Sequence, residues 1–242
     1  MSTSKAHIIA QLQREILLLQ GYKPATDGAA FDGGLGAIRH AFPNASFPLA
    51  AMHEFICDTP EQGAATAGFI SGVLSGLVKN TGVLLWISAH QTIFPPALHS
   101  FGIKPENVVF VAVKKDKERL WVIEEALKCE ALSAVIGEVQ EVSFTCSRRF
   151  QLAVEHSKVT GFMIRRNPKN MATAAVARWK IAPLPSATEE GLPGVGFPRW
   201  NVELQKVRNG KPGTWQLEWA AGTFRQVYEV TIIEQVPQRK AG

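Results

Sequence analysis

The spacing of apolar residues changes twice along this chain. Ile8, Ile9, Leu12, Ile16 and Leu19 recur at helical intervals with Gln11, Gln13, Arg14 and Glu15 between them, so residues 4–20 are expected to form an amphipathic helix ended by Gly21. Its apolar stripe needs a partner surface, either this chain's own core or a neighbour's. Ile9, Leu12, Ile16 and Leu19 are therefore candidate association residues. Residues 22–48, with Gly33, Gly34 and Gly36, read as a connection. From Met52 onward, short apolar runs alternate with helical patterns. Strands are expected at 52–57, 83–87, 108–113, 132–137 and 159–164, and helices at 64–79, near 97–101, at 117–129 and at 145–157. This alternation predicts an α/β fold with a mostly parallel sheet flanked by helices, because parallel strands need crossover helices. After Asn170 the period becomes two. Ala177, Trp179 and Ile181, then Trp200, Val202 and Leu204, then Trp215, Leu217 and Trp219 alternate with polar neighbours, as half-buried antiparallel strands do. Asn209-Gly210 is a hairpin turn signal, and 183–198 reads as a surface loop.

Composition narrows the class. The 242 residues are 46% hydrophobic and 19% charged, a globular composition long enough to bury a sizeable core. Cys57, Cys129 and Cys146 show no ligand spacing, which fits thiols in a reducing compartment. No metal is expected, since the six histidines also lack any HxxxH or HExxH pattern. Neither a signal peptide nor a membrane span is read, so a cytoplasmic location is expected. Charge is divided unevenly. Residues 1–143 carry 11 Lys and Arg against 14 Asp and Glu, whereas residues 144–242 carry 15 against 7. The basic half meets something anionic, nucleic acid or an acidic protein surface, or else is an ordinary solvated face.

The stretch MHEFICDTPEQGAATAGFISGVLSGLVK has the outline of a strand, a phosphate-binding loop over residues 60–66 and a helix, but the loop lacks its lysine. Such loops ring phosphates with backbone N–H groups while a Lys reaches the terminal phosphates. Gly63 is followed instead by Ala64, Ala65 and Thr66. Lys79 is roughly 22 Å along the helix from the position where a Lys is needed. A desolvated charge partner is worth about 2–5 kcal/mol, so triphosphate affinity should be largely lost. By itself the segment also fits an ordinary strand–helix corner. Ser71 and Ser75 lie among small residues and read as packing positions. Arg148 and Arg149 open one helix and Arg165 and Arg166 end the next strand, which makes them candidate contacts for DNA phosphate or an acidic partner. The alternative for these arginines is pairing with Glu124, Glu125 or Glu138.

Several segments carry a resemblance. FDGGLGAIRHAFPNASFPLAAMHEFI, ISAHQTIFPPALHSFGIKPENVVFV and FPRWNVELQKVRNGKPGTWQLEW resemble, in order, the lead-in to the RecA nucleotide loop, the following strand and helix, and the closing antiparallel strands. Within that superfamily TCSRRFQLAVEH, ARWKIAPLPS and PGTWQLEW are most similar to the ImuA family, the RecA-like accessory proteins of bacterial error-prone translesion synthesis. The resemblance implies an N-terminal helix at 1–21, a connecting segment at 22–48, a RecA-like domain without a functional phosphate-binding loop at 49–236 and a short basic tail at 237–242. It further implies a protein with no catalytic residues, cofactor or metal. Its role would be in the SOS response, through contacts with RecA, an inactive Y-family polymerase-like protein of the ImuB type and an error-prone replicative-type DNA polymerase. Single-stranded DNA is a further candidate partner. The loop's Lys-Thr pair would fall at Ala64 and Ala65, the catalytic acid around Ala89 and His90, the Mg²⁺-side acid near Gly137 and Glu138, and the phosphate sensor near Arg166 or Asn167. Lys206 and Arg208 lie on the strand whose lysines, in RecA filaments, reach a neighbour's nucleotide. Two other readings are a SulA-like division inhibitor, whose chains are shorter, and a divergent RecA-like DNA-dependent ATPase that borrows Lys206.

Overall fold

The computed structural model describes residues 34–78, 82–186 and 196–227, together with Leu12. The strands are β1 (Met52–Cys57), β2 (Val83–Ser88), β3 (Val108–Ala112), β4 (Leu132–Val139), β5 (Thr160–Arg166), β6 (Ala177–Leu184), β7 (Arg199–Val207), β8 (Gly213–Ala220) and β9 (Thr223–Gln226). They form one sheet in the order β3-β2-β4-β5-β1-β6-β7-β8-β9. Helices α1 (Pro60–Leu77), α2 (Asp116–Leu127) and α3 (Phe144–Ser157) join the parallel strands, with 3₁₀ turns at Gly36–Ala41 and Pro95–Phe101. From Met52 onward the expected strands and helices all occur, each within a few residues. One pairing differs. β6 runs parallel to β1, through His53↔Ala177 to Ile56↔Lys180, and the antiparallel part starts only at β7. Alternation along β6 reveals one wet face but not the direction of a neighbour, which the crossover from β5 decides. The hairpin at Asn209 forms, with that residue at φ 57.

Period-two alternation sorts the sheet into two faces. Phe55, Phe162, Ile164, Ala177, Trp179 and Ile181 point to the α1 face. Met52, Val135, Val139 and Met163 point to the face covered by α2 and α3. Beyond β1 no described helix covers that second face, and Lys180, Glu203, Gln216 and Glu218 line it, partly exposed. Leu35, Ile38, Phe42 and Phe47 are nearly or fully buried in the α1-side core. The expected boundary at residue 48 therefore moves to before Leu35, because apolar side chains at these positions are more stable packed than in a solvated connector. The helix expected at 4–20 lies outside the described residues except for Leu12, which is helical.

Helix α1 sits unusually close to the aromatic strands. A Cβ on Gly72 would lie 2.4 Å from the Phe224 ring, and one on Gly68 would lie 3.2 Å from Trp200. Ser71 and Ser75 bond back to Ala67 O and Gly72 O at 2.8 and 2.7 Å, so both hydroxyls are satisfied within the helix. Beneath α1, His53 is fully buried and stacks on Phe47 at 4.3 Å. Its Nε2–H donates to Pro48 O at 2.7 Å, and Nδ1 accepts from Trp179 Nε1 at 3.4 Å, so the neutral ring satisfies both nitrogens.

On the opposite face, Glu54 in β1 has no solvent exposure. Arg165 of β5 donates to one oxygen at 2.6 Å, and Arg178 of β6 and Thr173 donate to the other at 2.7 and 2.9 Å. Arg165 continues to Asn170 O at 2.7 Å and to Glu141 at 3.4 Å. These contacts tie the three central strands and the segment before β6 into one unit.

Two measurements check this core. Burial lowers the pKa of His53 from 6.5 to about 4, against a weaker upward pull from the Pro48 bond. Between those values the unfolded chain binds more protons, so stability present above pH 6.5 falls as the pH drops, by at most about 1.4 kcal/mol per unit. His53→Phe should flatten that part of a urea-unfolding profile, and an unchanged slope would assign it to other groups. Glu54→Ala strands two guanidinium groups and should cost about 3–5 kcal/mol of unfolding free energy. A loss under about 1 kcal/mol would show that water reaches the cluster.

Candidate functional site at the carboxyl edge of the parallel strands

In open parallel sheets ligands gather at the carboxyl ends of the strands. At the end of β1 only Asp58 and Thr59 separate the strand from α1, so residues 60–66 are helix and not the expected loop. Local chemistry explains the early start. Thr59 is an N-cap whose hydroxyl oxygen accepts from Gln62 N at 3.3 Å, Pro60 occupies the first turn, and Gln62 Oε1 accepts from Asp58 N at 2.8 Å. Glu61 is bonded by the Thr59 hydroxyl and by its own amide, which together hold its carboxyl below the usual range. Gly63 N reaches Thr59 O at 3.1 Å. The amides of the first turn are thus occupied, and Asp58 and Glu61 place negative charge where a phosphate would sit. Thr66 is buried, with its hydroxyl 3.3 Å from Cys57 Sγ. The residues present do not fit a nucleotide phosphate.

Arg166 occupies the space in front of this turn. Its Nη1 lies 3.0 Å from the Cβ position of Gly63, and its Nη2 donates to Glu138 Oε2 at 2.9 Å. Trp86 Nε1 and Thr92 Oγ1 donate to Glu138 Oε1 at 3.0 and 2.7 Å. Glu138 therefore pairs with Arg166 and not with Arg165. A cleft of about 460 Å³ opens beside the pair, lined by Ala89, His90, Asp116, Arg119, Glu138 and Arg166. Its cations are compensated, since Arg119 bonds Asp116 and the carbonyl of Val113, the latter at 2.7 Å. Alternation could have placed Trp86 and Glu138 on one face. Nothing in the sequence marks Arg119 or Thr92, which reach the cleft only through the crossover connections.

The remaining candidate residues separate. Arg165 is fully buried on Glu54, so it belongs to the core and offers no surface contact. Arg149 reaches across to Glu124 on α2, with Nε to Oε1 at 3.1 Å, while Arg148 faces solvent one position earlier. Lys206 is exposed and directs Nζ to Thr173 O at 3.4 Å; Arg208 approaches Ala174 O at the same distance. Both contacts are with the segment held by Glu54, on the face opposite α1 and Gly63. Lys206 therefore points away from this chain's own α1 turn. Ile9, Ile16 and Leu19 lie outside the described residues.

A parallel core in the order β3-β2-β4-β5-β1, with a helix rising directly from the central strand and antiparallel strands beyond, defines a RecA-like protein. The RadB recombinase crystal structure matches it with a TM-score of 0.53 and 11% identity, over 76% of this chain and 93% of that one. No family model matches. Protein ImuA of Caulobacter vibrioides strain NA1000 / CB15N is 31% identical, and the match spans 76% of this chain and 81% of the relative; Protein ImuA of strain ATCC 19089 / CIP 103742 / CB 15 matches to the same extent. The chain belongs to the ImuA family.

Replacing the two partners of the cleft's ion pair should have unequal effects. Glu138→Ala leaves Trp86 and Thr92 without their acceptor and should cost about 1–3 kcal/mol in urea unfolding. Arg166→Met, at a half-exposed position, should cost about 1 kcal/mol or less. The reverse order would make Arg166 the organising group.

Proposed function

We propose that this chain is a non-catalytic RecA-like accessory factor of SOS-induced error-prone translesion DNA synthesis. It works by contact with RecA, with an inactive Y-family polymerase-like protein of the ImuB type and with an error-prone replicative-type DNA polymerase. The observation that carries the reading is the filled phosphate position: a two-residue turn with occupied amides and acidic neighbours, faced by an arginine already bonded to Glu138. Membership of the ImuA family supports the biological setting. With the site closed, activity passes to surfaces: of the sequence-derived candidates for an acidic partner or single-stranded DNA only Arg165 is buried, and Arg149 and Arg166 are exposed or half-exposed but paired with Glu124 and Glu138, which leaves Arg148, Lys206 and Arg208 as the ones outside those ion pairs. Among the described residues no helix is long and apolar enough to cross a membrane.

Calorimetric titration with ATP and Mg²⁺ tests the central statement. Neither binding at millimolar nucleotide nor turnover is expected. Micromolar binding with hydrolysis would replace this reading with the ATPase one, and Lys206→Ala would then distinguish a lysine supplied between copies from one supplied elsewhere.

A further inference from the structure

Strands β5 and β6 run parallel on either side of β1, and only residues 167–176 join them. Such a crossover ordinarily carries a helix of its own. Here it is a strap without helix, laid across the face opposite α1, where Thr173 donates to Glu54.

The strap is held between α3 and the end of β7. The Ser147 hydroxyl, in the first turn of α3, accepts from Ala174 N at 3.0 Å and donates to Phe144 O at 2.8 Å, which brings Phe144 beside the strap. From the other side Lys206 directs Nζ to Thr173 O, and Arg208 approaches Ala174 O, each at 3.4 Å. A bulge aims these two cations. Arg178 pairs with Lys206 but Trp179 pairs with Leu204, so Gln205 is an extra residue in β7. Without it, strict alternation would turn Lys206 and Arg208 to the α1 side with Val202 and Leu204.

The surface around the strap combines uncovered apolar groups with cations. Phe144 is 52% exposed and Met171 is 40% exposed. Single exposed apolar residues are common, but these two stand on segments joined through the Ser147 hydroxyl. Arg148 lies one turn after Phe144 on the same side of α3. It and Lys206 are exposed, and neither enters an ion pair among the described residues. The nearby carboxylates are already occupied. Glu54 holds Arg165 and Arg178, while Glu141 accepts from Lys169 N at 2.6 Å and lies 3.4 Å from Arg165. The surface therefore keeps a positive field.

Two ligand chemistries match a positive surface, and the apolar part separates them. Single-stranded nucleic acid is gripped by successive aromatic rings on which bases stack, whereas here one phenyl ring is accompanied by a thioether. A flexible thioether beside a ring suits the aliphatic side chains of a peptide. An amphipathic helix presents aliphatic and acidic groups along one side, and it would lie where the β5–β6 crossover has no helix of its own. We propose that this surface docks an acidic amphipathic helix of a partner protein, with its aliphatic side chains on Phe144 and Met171 and its carboxylates on Arg148 and Lys206. The inference rests on the reading of the chain as an accessory factor that works by contact. If docking fails here, that reading stands and the contacts lie on another surface, whereas nucleotide turnover would remove the reading itself.

Fluorescence anisotropy on the full chain tests the docking, with a labelled helical peptide of about 16 residues that carries leucine along one face and glutamate along the other. Micromolar binding that weakens as salt rises is expected. Phe144→Ser with Met171→Ser, and separately Arg148→Glu with Lys206→Glu, should each lower affinity at least about 10-fold. Arg148→Glu alone, at a position with no described contact to lose, should lower it at least about 3-fold and guards against a misfolded double variant. A glutamate-only peptide of the same length and an oligothymidylate should both bind more weakly. No binding at about 100 μM peptide, equal affinity for the glutamate-only peptide, tighter binding of the oligothymidylate, or affinity unchanged in either double variant would overturn the proposal. So would self-association of the unchanged chain that the same substitutions abolish, which would give the surface to a second copy. A melting temperature several degrees lower in the Phe144 and Met171 variant would also overturn it, by showing the surface covered by its own chain.

Discussion

A carboxylate removed from water must be matched by donors held rigidly around it. Glu54 imposes that demand at the centre of the sheet, and its partners come from β5, β6 and the segment that leads into β6. The parallel half and the antiparallel half are thereby joined through one side chain. The segment after β5 is fixed as well: Arg165 bonds Asn170 O, Arg178 bonds Met171 O, and Ser147 receives Ala174 N. This is a demanding way to join two halves of a sheet, since loss of Glu54 strands two guanidinium groups. A hydrophobic trio would be as stable, but it would not fix which backbone carbonyls face which strand.

The opposite face is held by a different principle. Aromatic rings from Phe42 to Phe224 form a continuous wall, and the glycines of α1 let the helix lie directly on it. Close approach and early capping act together. A helix that starts two residues after its strand and rests on glycines has no slack in which a phosphate-ringing loop could form. The helical turn is thus built into the backbone, and a lysine at Ala64 would not by itself create a phosphate-ringing loop.

Arg166 and Glu138 face each other at the carboxyl ends of their strands, with Trp86 and Thr92 completing the carboxylate. An internal ion pair of this kind leaves little field for an external anion, and among the described residues the exposed Trp121 and Leu152 lie outside the cleft.

Spacing of apolar residues was enough to order every strand and helix from Met52 to Val207, because burial on a pleated or helical surface repeats with a fixed period. Segment-level resemblance to RecA and to the ImuA family was likewise readable, as was the missing lysine. Other features depended on which chain segments become neighbours. β6 lies parallel to β1, Leu35 to Phe47 enter the core, Arg165 turns inward to Glu54 while Arg166, one residue later, turns to the other face and reaches Glu138. A single sequence shows that adjacent strand residues point oppositely, yet it carries no record of what waits on each side. By itself the sequence determined the class of fold and the absence of a phosphate-binding lysine. The capping of α1 is local, but only the tertiary structure decided that Arg166 is seated against its first turn, because that outcome brings together two strand ends about a hundred positions apart.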